Sequence, residues 1–124
     1  MARQVHVPMR LVVKQPKPGL VVLELSGRIS MGRDCAEIDQ TVEQHVQQDQ
    51  KHFIFDLAGV NHIDSAVVGQ IVKSHSHLLK SGGRLRIARA TGMVEGVLKL
   101  TQVSNVIEMF PTVSAASEGY PPEK

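Results

Sequence analysis

Short apolar runs alternate along this chain with longer segments in which apolar residues recur every three or four positions. Three runs, at 20–27, 52–60 and 84–90, are rich in branched aliphatic residues, which is typical of β-strands. The run HFIFDLAGV at 52–60 is nearly continuous and predicts a strand buried on both faces, as in a parallel sheet covered by helices. Weaker patterns predict an edge strand at 5–13 and a last strand at 105–110.

Segments with helical periodicity separate these strands. Residues 34–49 carry an apolar stripe with Asp34 as the expected N-cap, residues 65–80 form the clearest amphipathic helix, and residues 91–103 repeat the pattern. The sequence SGG at 81–83 predicts the end of the second helix. Strands that alternate with helices form βαβ units, so the pattern predicts a small α/β protein with a mostly parallel sheet.

Composition and charge narrow the functional classes. The 124 residues are 42% hydrophobic and 21% charged, which fits one soluble globular domain. The net charge of +2 comes from scattered basic residues and aromatic residues make up 3%, which argues against direct nucleic-acid binding. Cys35 is the only cysteine, and no apolar run approaches the ~18 residues of a membrane span. We therefore expect a cytoplasmic protein without disulfides or membrane contact.

The stretch NHIDSAVVGQIV at 61–72 joins a polar turn to the second predicted helix. Asp64 is placed to cap that helix by accepting a backbone N–H bond, and Ser65 is then its first residue. A serine at this position has three possible roles: it can support the cap, act as a nucleophile, or carry a modification. It would lie at the carboxyl edge of the sheet, where α/β folds place their functional groups.

A hydrolase interpretation of Ser65 has to be tested because His62 and Asp64 are close in sequence. The nucleophile elbow of α/β hydrolases needs a glycine two residues before the serine and another two residues after it. Ile63 and Val67 occupy those positions, so the motif is absent. A small serine hydrolase therefore remains the remote alternative.

Six histidines raise the question of a metal site. His75 and His77 are two residues apart on a predicted helix and point in different directions, whereas helical metal-binding pairs are four residues apart. His75 falls on the apolar stripe, where a packed boundary residue is expected. Glycine-rich phosphate-binding loops are also missing, so we expect neither a metal nor another cofactor.

The segment 53–90, FIFDLAGVNHIDSAVVGQIVKSHSHLLKSGGRLRIARA, resembles the core of a STAS domain, as found in bacterial anti-sigma factor antagonists. In that family a strand ending in Asp-Leu-(Ser/Ala)-Gly-Val precedes an Ile-Asp-Ser-Ser-Gly-Leu-Gly loop and helix, followed by a Gly-Gly turn. The runs LVVLELSGRI and VLKLTQVSNVIEMFPTVSAA resemble the earlier strand and the closing elements. The resemblance implies a single-domain STAS fold over residues 1–117, with a mixed, mostly parallel sheet of four to five strands and about four helices. Residues 118–124 are expected to be a disordered tail.

The resemblance also implies a function. In the antagonists the serine after the aspartate is phosphorylated by an anti-sigma factor that is itself a histidine-kinase-like ATPase, and a serine phosphatase resets it. The unphosphorylated form binds the anti-sigma factor and frees sigma, whereas the phosphorylated form does not bind. The phosphorylated position is Ser65 here. The residues expected to contact the partner are Ser30, Asp64, Ala66, Gly69 and Lys73.

Three positions depart from the family pattern. Ala66 stands where the family has a second serine, Val67 replaces a glycine, and Ser30 occupies a position where an aspartate is common. That aspartate lies beside the phosphorylation site in the family and contacts the kinase. The alternative to a phosphorylated antagonist is therefore a non-catalytic STAS scaffold subunit of a larger signalling assembly.

Overall fold

A computed structural model of the protein describes residues 7–122. Its sheet has five strands in the spatial order β1-β2-β3-β4-β5, in which β1 is antiparallel to β2 and the other neighbours are parallel. The predicted α/β class and the mixed, mostly parallel sheet are therefore confirmed. The strands are β1 (Arg10–Lys17), β2 (Leu20–Arg28), β3 (His52–His62), β4 (Arg84–Ala88) and β5 (Met109–Phe110).

Within residues 7–122, four α-helices and one 3₁₀ turn connect and follow the strands. The helices are α1 (Arg33–Val46), α2 (Ser65–Lys80), α3 (Gly92–Leu100) and α4 (Val113–Ser117), and the 3₁₀ turn is Val103–Asn105. The number of helices agrees with the expectation of about four. The second helix begins and ends where the sequence predicted, because Asp64 caps its start and Gly82 adopts a left-handed φ of 87° after its last turn.

The main hydrophobic core lies between one face of the sheet and helices α1, α2 and α3. Alternate side chains of β2, β3 and β4 point to this face, including Leu23, Phe55 and Ile87, all of which are fully buried. The helices contribute Ile38, Val42, Val67, Ile71, Leu78, Val94 and Leu98. Helices α1, α2 and α3 follow β2, β3 and β4 and pack on the same side of the sheet. The loops that lead from these strands into the helices therefore meet at the carboxyl edge of the sheet.

The opposite face of the sheet carries a smaller core around α4, formed by Leu20, Val22, Ile54, Ala88, Ala116 and Tyr120. Beyond α4 this face continues over β1, β2 and β3, where Arg10, Val12 and Ser26 line a surface cavity. Among residues 7–122 no helix covers this region. We call the uncovered region the open face.

The carboxyl-terminal residues correct one expectation. Residues 118–124 were predicted to be a disordered tail, but Tyr120 is 1% exposed and packs in the core beside α4. Its hydroxyl lies 3.1 Å from the carbonyl oxygen of Phe53 and also contacts the carbonyl oxygen of Arg84. The Arg86 guanidinium stacks on its ring, 4.1 Å from the centroid. The ordered chain therefore extends beyond residue 117, and residues 123 and 124 lie outside the described part.

Several element boundaries differ from the sequence prediction, those of β1, α1 and β5 among them. The first strand begins at Arg10 and continues past the predicted end at residue 13 to Lys17; residues 5 and 6 lie outside the described range. The α1 helix begins at Arg33 with Gly32 as N-cap, so the prediction of Asp34 as N-cap is wrong. The last strand is limited to two residues, because a 3₁₀ turn and a bend occupy the start of the predicted segment 105–110.

Within residues 7–122, no helix is both long enough and apolar enough to cross a membrane. The same residues contain no group of three or more histidine, cysteine, aspartate or glutamate side chains that could hold a metal ion. His75 is half-buried on α2 and its Nδ1 atom lacks a hydrogen-bond partner in this part of the chain.

Candidate functional site

The junction between β3 and α2 holds Ser65 on the protein surface. Asp64 has extended backbone angles, and its carboxylate accepts a hydrogen bond of 3.0 Å from the backbone N–H of Val67. Its carbonyl oxygen accepts the first helical bond, from Val68. Asp64 is therefore the N-cap that the sequence predicted, and Ser65 is the first residue of α2 and exposed.

The Ser65 hydroxyl is not used in the cap. Within residues 7–122 no hydrogen bond joins it to His62 or Asp64, and the Asp64 carboxylate is instead directed at the helix. Ile63, which separates His62 from Asp64, is buried and anchors the junction in the main core. A hydrogen-bonded relay of Ser65, His62 and Asp64 is therefore not formed in this structure.

The loop between β2 and α1 lies next to this junction. Strands β2 and β3 are parallel neighbours, and Arg28 at the end of β2 pairs with His62 at the end of β3. Gly27 permits this arrangement: its φ is 82°, and a Cβ atom there would lie 2.4 Å from the carbonyl oxygen of Pro8. The loop carrying Ser30 is thus brought to the same sheet edge as Ser65.

A carboxylate from α1 is bound to the Ser30 loop. The backbone N–H and the hydroxyl of Ser30 donate to one carboxylate oxygen of Asp34, at 2.9 Å and 2.8 Å. Asp34 is in the first turn of α1, where a negative charge is favourable. Sequence reasoning assigned Asp34 to the cap of α1 and missed this contact, which depends on the loop reversing at Gly32.

Cys35 is close enough to the Ser30 loop and to the start of α2 to be affected by charges from both. Burial raises the pKa of its thiol, and the carboxylates of Asp64 and Asp34 raise it further. Its sulfur also contacts the carbonyl oxygen of Ser30 at 3.6 Å. The Cys35 thiol therefore lies near carboxylates from both loops. The only signal for this placement in the sequence is the position of Cys35 on the apolar stripe of α1.

The expected contact residues on α2 differ in accessibility. Gly69 is exposed, and a Cβ atom there would meet nothing within 4 Å. Lys73 is exposed and pairs with Asp39 of α1 at 3.7 Å, so it faces the groove between the two helices. Ala66 is half-buried. Ser65, Gly69 and Lys73 follow one another at four-residue spacing and so form one row along the helix.

Two exposed apolar side chains, one in the Ser30 loop and one on α2, were not expected to be contact residues from the sequence. Met31, next to Ser30, is 68% exposed, and Val72, two turns along α2 from Ser65, is 40% exposed. We call the surface formed by Ser30, Met31, Ser65, Gly69 and Val72 the α2 surface. A signal for Met31 was available, because an apolar residue between polar neighbours in a short loop has little opportunity to be buried.

A comparison with known families assigns the chain to one of them. A family model described as STAS domain matches residues 12–116. The chain belongs to the STAS domain family. The match covers β1 from its third residue onward, the other four strands, and α1, α2 and α3, and it includes both loops of the site. No curated protein matches the sequence.

Solved structures share the fold of this STAS domain. An anti-sigma factor antagonist from Mycobacterium paratuberculosis is 20% identical, covering 90% of this chain and 92% of its own, with a TM-score of 0.77. The anti-sigma factor antagonist SpoIIAA in its unphosphorylated form is 18% identical, covering 86% and 92%, with a TM-score of 0.75. The phosphorylated form of SpoIIAA, a Bacillus cell fate determinant, is 16% identical, covering 88% and 97%, with a TM-score of 0.71. At these identities the likeness shows the fold.

Proposed function

We propose that this STAS protein is an anti-sigma factor antagonist controlled by phosphorylation of Ser65. In its unphosphorylated form it binds an anti-sigma factor of the histidine-kinase-like ATPase type, which phosphorylates Ser65 and thereby releases it. A serine phosphatase restores the binding form, and the cycle operates in the cytoplasm. One observation carries the proposal: Asp64 caps α2 by itself, which leaves the Ser65 hydroxyl exposed and free to react.

The helix start makes a phosphate on Ser65 compatible with the fold. A phosphoserine adds about −1.5 to −2 charges and three acceptor oxygens. The amino end of a helix carries a partial positive charge, so an anion on its first residue is stabilised. The hydroxyl also points away from the core, because Val67 and Val68 provide the buried side chains of this turn. Phosphorylation should therefore change the surface and leave the fold intact.

The same phosphate would oppose a partner that covers the α2 surface. Met31 in the Ser30 loop and Val72 on α2 are exposed apolar side chains, and exposed apolar side chains on this surface favour a desolvated protein contact. A phosphate buried in that contact without a cationic partner would cost several kcal/mol, and about 1.4 kcal/mol already changes affinity tenfold. The charge that a phosphate adds at Ser65 is therefore sufficient to switch partner binding off.

Two departures from the family pattern are compatible with this proposal. Val67 replaces a glycine, but it is fully buried and packs in the main core, so it does not obstruct the surface. Ser30 replaces an aspartate, but its N–H and hydroxyl bind the carboxylate of Asp34. We propose that Asp34 supplies the negative charge that the family commonly has at position 30, and that the kinase recognises it there.

The proposal is tested by the mass of the intact protein after incubation with ATP and each candidate anti-sigma kinase encoded in the same genome. Wild type should gain one phosphoryl group, and Ser65→Ala should gain none. Ser76→Ala is the matched control, since Ser76 is another exposed serine on α2, and it should be modified like wild type. A phosphoryl gain that persists in Ser65→Ala would refute the proposal. No gain with any kinase, together with tight binding to sister STAS proteins, would support the scaffold role instead.

A further inference from the structure

The open face contains two adjoining cavities that are unrelated to the α2 surface. One, which we call the polar cavity because Arg10 and Ser26 line it, has a volume of about 340 Å³ and walls of mixed polarity. The other, the apolar cavity, has a volume of about 330 Å³ and largely apolar walls. Both volumes fall in the range of roughly 300–1,000 Å³ that is typical of small-molecule sites. Glu24, Asp56 and Arg89 line both cavities. The polar cavity adds Arg10, Val12, Leu25, Ser26, Ala58 and Gly59, and the apolar cavity adds Lys14, Pro16, Val22, Thr112 and Val113.

Arg89 is held firmly at the boundary between the two cavities. Its backbone has a left-handed φ of 59°, and its N–H donates to the carbonyl oxygen of Phe110 at 2.9 Å. Its side chain donates from Nε to one carboxylate oxygen of Asp56 at 3.0 Å and from Nη2 to the other. Asp56 is 2% exposed, so the surrounding protein holds its carboxylate, and with it the paired Arg89 side chain, in place. The remaining nitrogen, Nη1, has no hydrogen-bond partner among residues 7–122.

The charges around the cavities do not balance. Glu24 pairs with Lys14 at 3.0 Å, and Asp56 pairs with Arg89, so both carboxylates are already neutralised. Arg10 lines the polar cavity and is exposed, and no carboxylate within residues 7–122 pairs with it. Arg10 is therefore an uncompensated cation that lines the same cavity as the preorganised Arg89. This arrangement favours an anionic group in the polar cavity.

We propose that the open face binds a small amphipathic carboxylate. Its carboxylate group would be bound by Arg10 and Arg89 in the polar cavity, and its apolar chain would pack on Pro16, Val22 and Val113 in the adjoining cavity. The site lies on the opposite face of the sheet from α2. It is therefore independent of the function proposed for Ser65, and either proposal can fail without the other.

The test uses octanoate as the probe, with acetate and 1-octanol as matched compounds that carry only one of its two groups. Each is titrated into the full-length, isotope-labelled protein, and the backbone amide signals are followed by NMR. Octanoate should shift the signals of Ala58, Gly59 and Val113 and leave that of Gly69 unchanged. Acetate and 1-octanol should bind about tenfold more weakly, because each lacks one half of the recognition. Equal binding of octanoate and 1-octanol, or shifts confined to other regions, would overturn the proposal.

Variants identify the residues that bind the carboxylate. Arg10→Gln should weaken octanoate binding about tenfold through loss of a charged hydrogen-bond donor. Arg89→Gln should weaken it as well, but this change also leaves Asp56 without its partner, and the variant can fail to fold. Arg10 does not contact Asp56, so the Arg10→Gln result decides. Arg33→Gln, an equivalent change at the exposed start of α1, should bind like wild type. Wild-type affinity in Arg10→Gln would overturn the proposal.

Discussion

The carboxylate of Asp64 accepts a 3.0 Å hydrogen bond from the backbone N–H of Val67, across the first turn of α2. This bond separates two tasks that a serine at a helix start often combines. Asp64 accepts a hydrogen bond from a backbone N–H at the start of α2. Ser65, which lies between Asp64 and Val67 in the chain, keeps its hydroxyl exposed. Capping and switching are therefore assigned to neighbouring residues, and each can be tested separately.

Loss of the cap should destabilise the protein. Asp64→Ala leaves the N–H of Val67 without its partner and should lower the free energy of unfolding by about 0.5–2 kcal/mol. Asp64→Ser keeps an oxygen acceptor and should retain most of the stability. Urea denaturation of the two variants and wild type provides the comparison. Equal stability of Asp64→Ala and wild type would show that the cap does not stabilise α2.

A negative charge at position 65 should be tolerated by the fold. Ser65→Asp places a carboxylate on the first residue of α2, where the helix dipole stabilises it, so the melting temperature should match or exceed that of wild type. Ser76→Asp places the same charge far from the amino end of α2, so it lacks the stabilisation that the helix dipole gives at position 65. Thermal melts followed by circular dichroism compare the two. Greater destabilisation by Ser65→Asp than by Ser76→Asp would contradict the account.

The carboxylate bound to Ser30 should support phosphorylation. Asp34→Asn keeps an acceptor oxygen for the N–H and hydroxyl of Ser30 but removes the charge. We expect the kcat/KM of Ser65 phosphorylation to fall about tenfold, which corresponds to roughly 1.4 kcal/mol. Glu37→Gln is the matched control, since Glu37 is an exposed acidic residue on the same helix and does not bind Ser30. An unchanged rate in Asp34→Asn would separate Asp34 from kinase recognition.

The sequence predicted the parts of the fold that depend on local pattern. The buried strand β3, the start and end of α2 and the capping role of Asp64 were all confirmed, because each follows from apolar periodicity or from the chemistry of one turn. The position of Ser65 at the carboxyl edge of a parallel sheet followed from the same pattern. Local sequence signals were therefore sufficient to predict where Ser65 lies in the fold.

The features that the sequence did not predict depend on contacts between distant residues. Tyr120 is followed by two prolines in a polar stretch, and its burial depends on Phe53 and Arg84, which are remote in sequence. The pairing of Asp56 with Arg89 likewise requires β3 and β4 to be neighbours. Residue types alone do not specify such partners, since many side chains of the same charge or size were available.

Burial of Tyr120 should make stability depend on alkaline pH. Burial raises the pKa of its hydroxyl well above the usual value of about 10, because the ionised form is desolvated. A raised pKa means that the folded state retains this proton more tightly than the unfolded state. The stabilisation is therefore fully present below pH ~10 and is lost as the pH rises above it.

Two measurements check this pH dependence. Tyr120 is the only tyrosine and the chain has no tryptophan, so near-ultraviolet absorbance reports its ionisation directly. The folded protein should titrate at higher pH than the protein in urea. Tyr120→Phe should lower the free energy of unfolding by about 1–3 kcal/mol at neutral pH and should lack the tyrosine-dependent loss in alkali. Identical titration curves for folded and unfolded protein would contradict burial of the hydroxyl.

The central claim is that one phosphate on Ser65 controls binding through the α2 surface. The most direct measurement is the affinity of the anti-sigma kinase for wild-type protein in its unmodified and Ser65-phosphorylated forms, determined by isothermal titration calorimetry. We predict at least about tenfold weaker binding of the phosphorylated form, or about 1.4 kcal/mol, with both forms folded by circular dichroism. Equal affinity of the two folded forms would contradict the account.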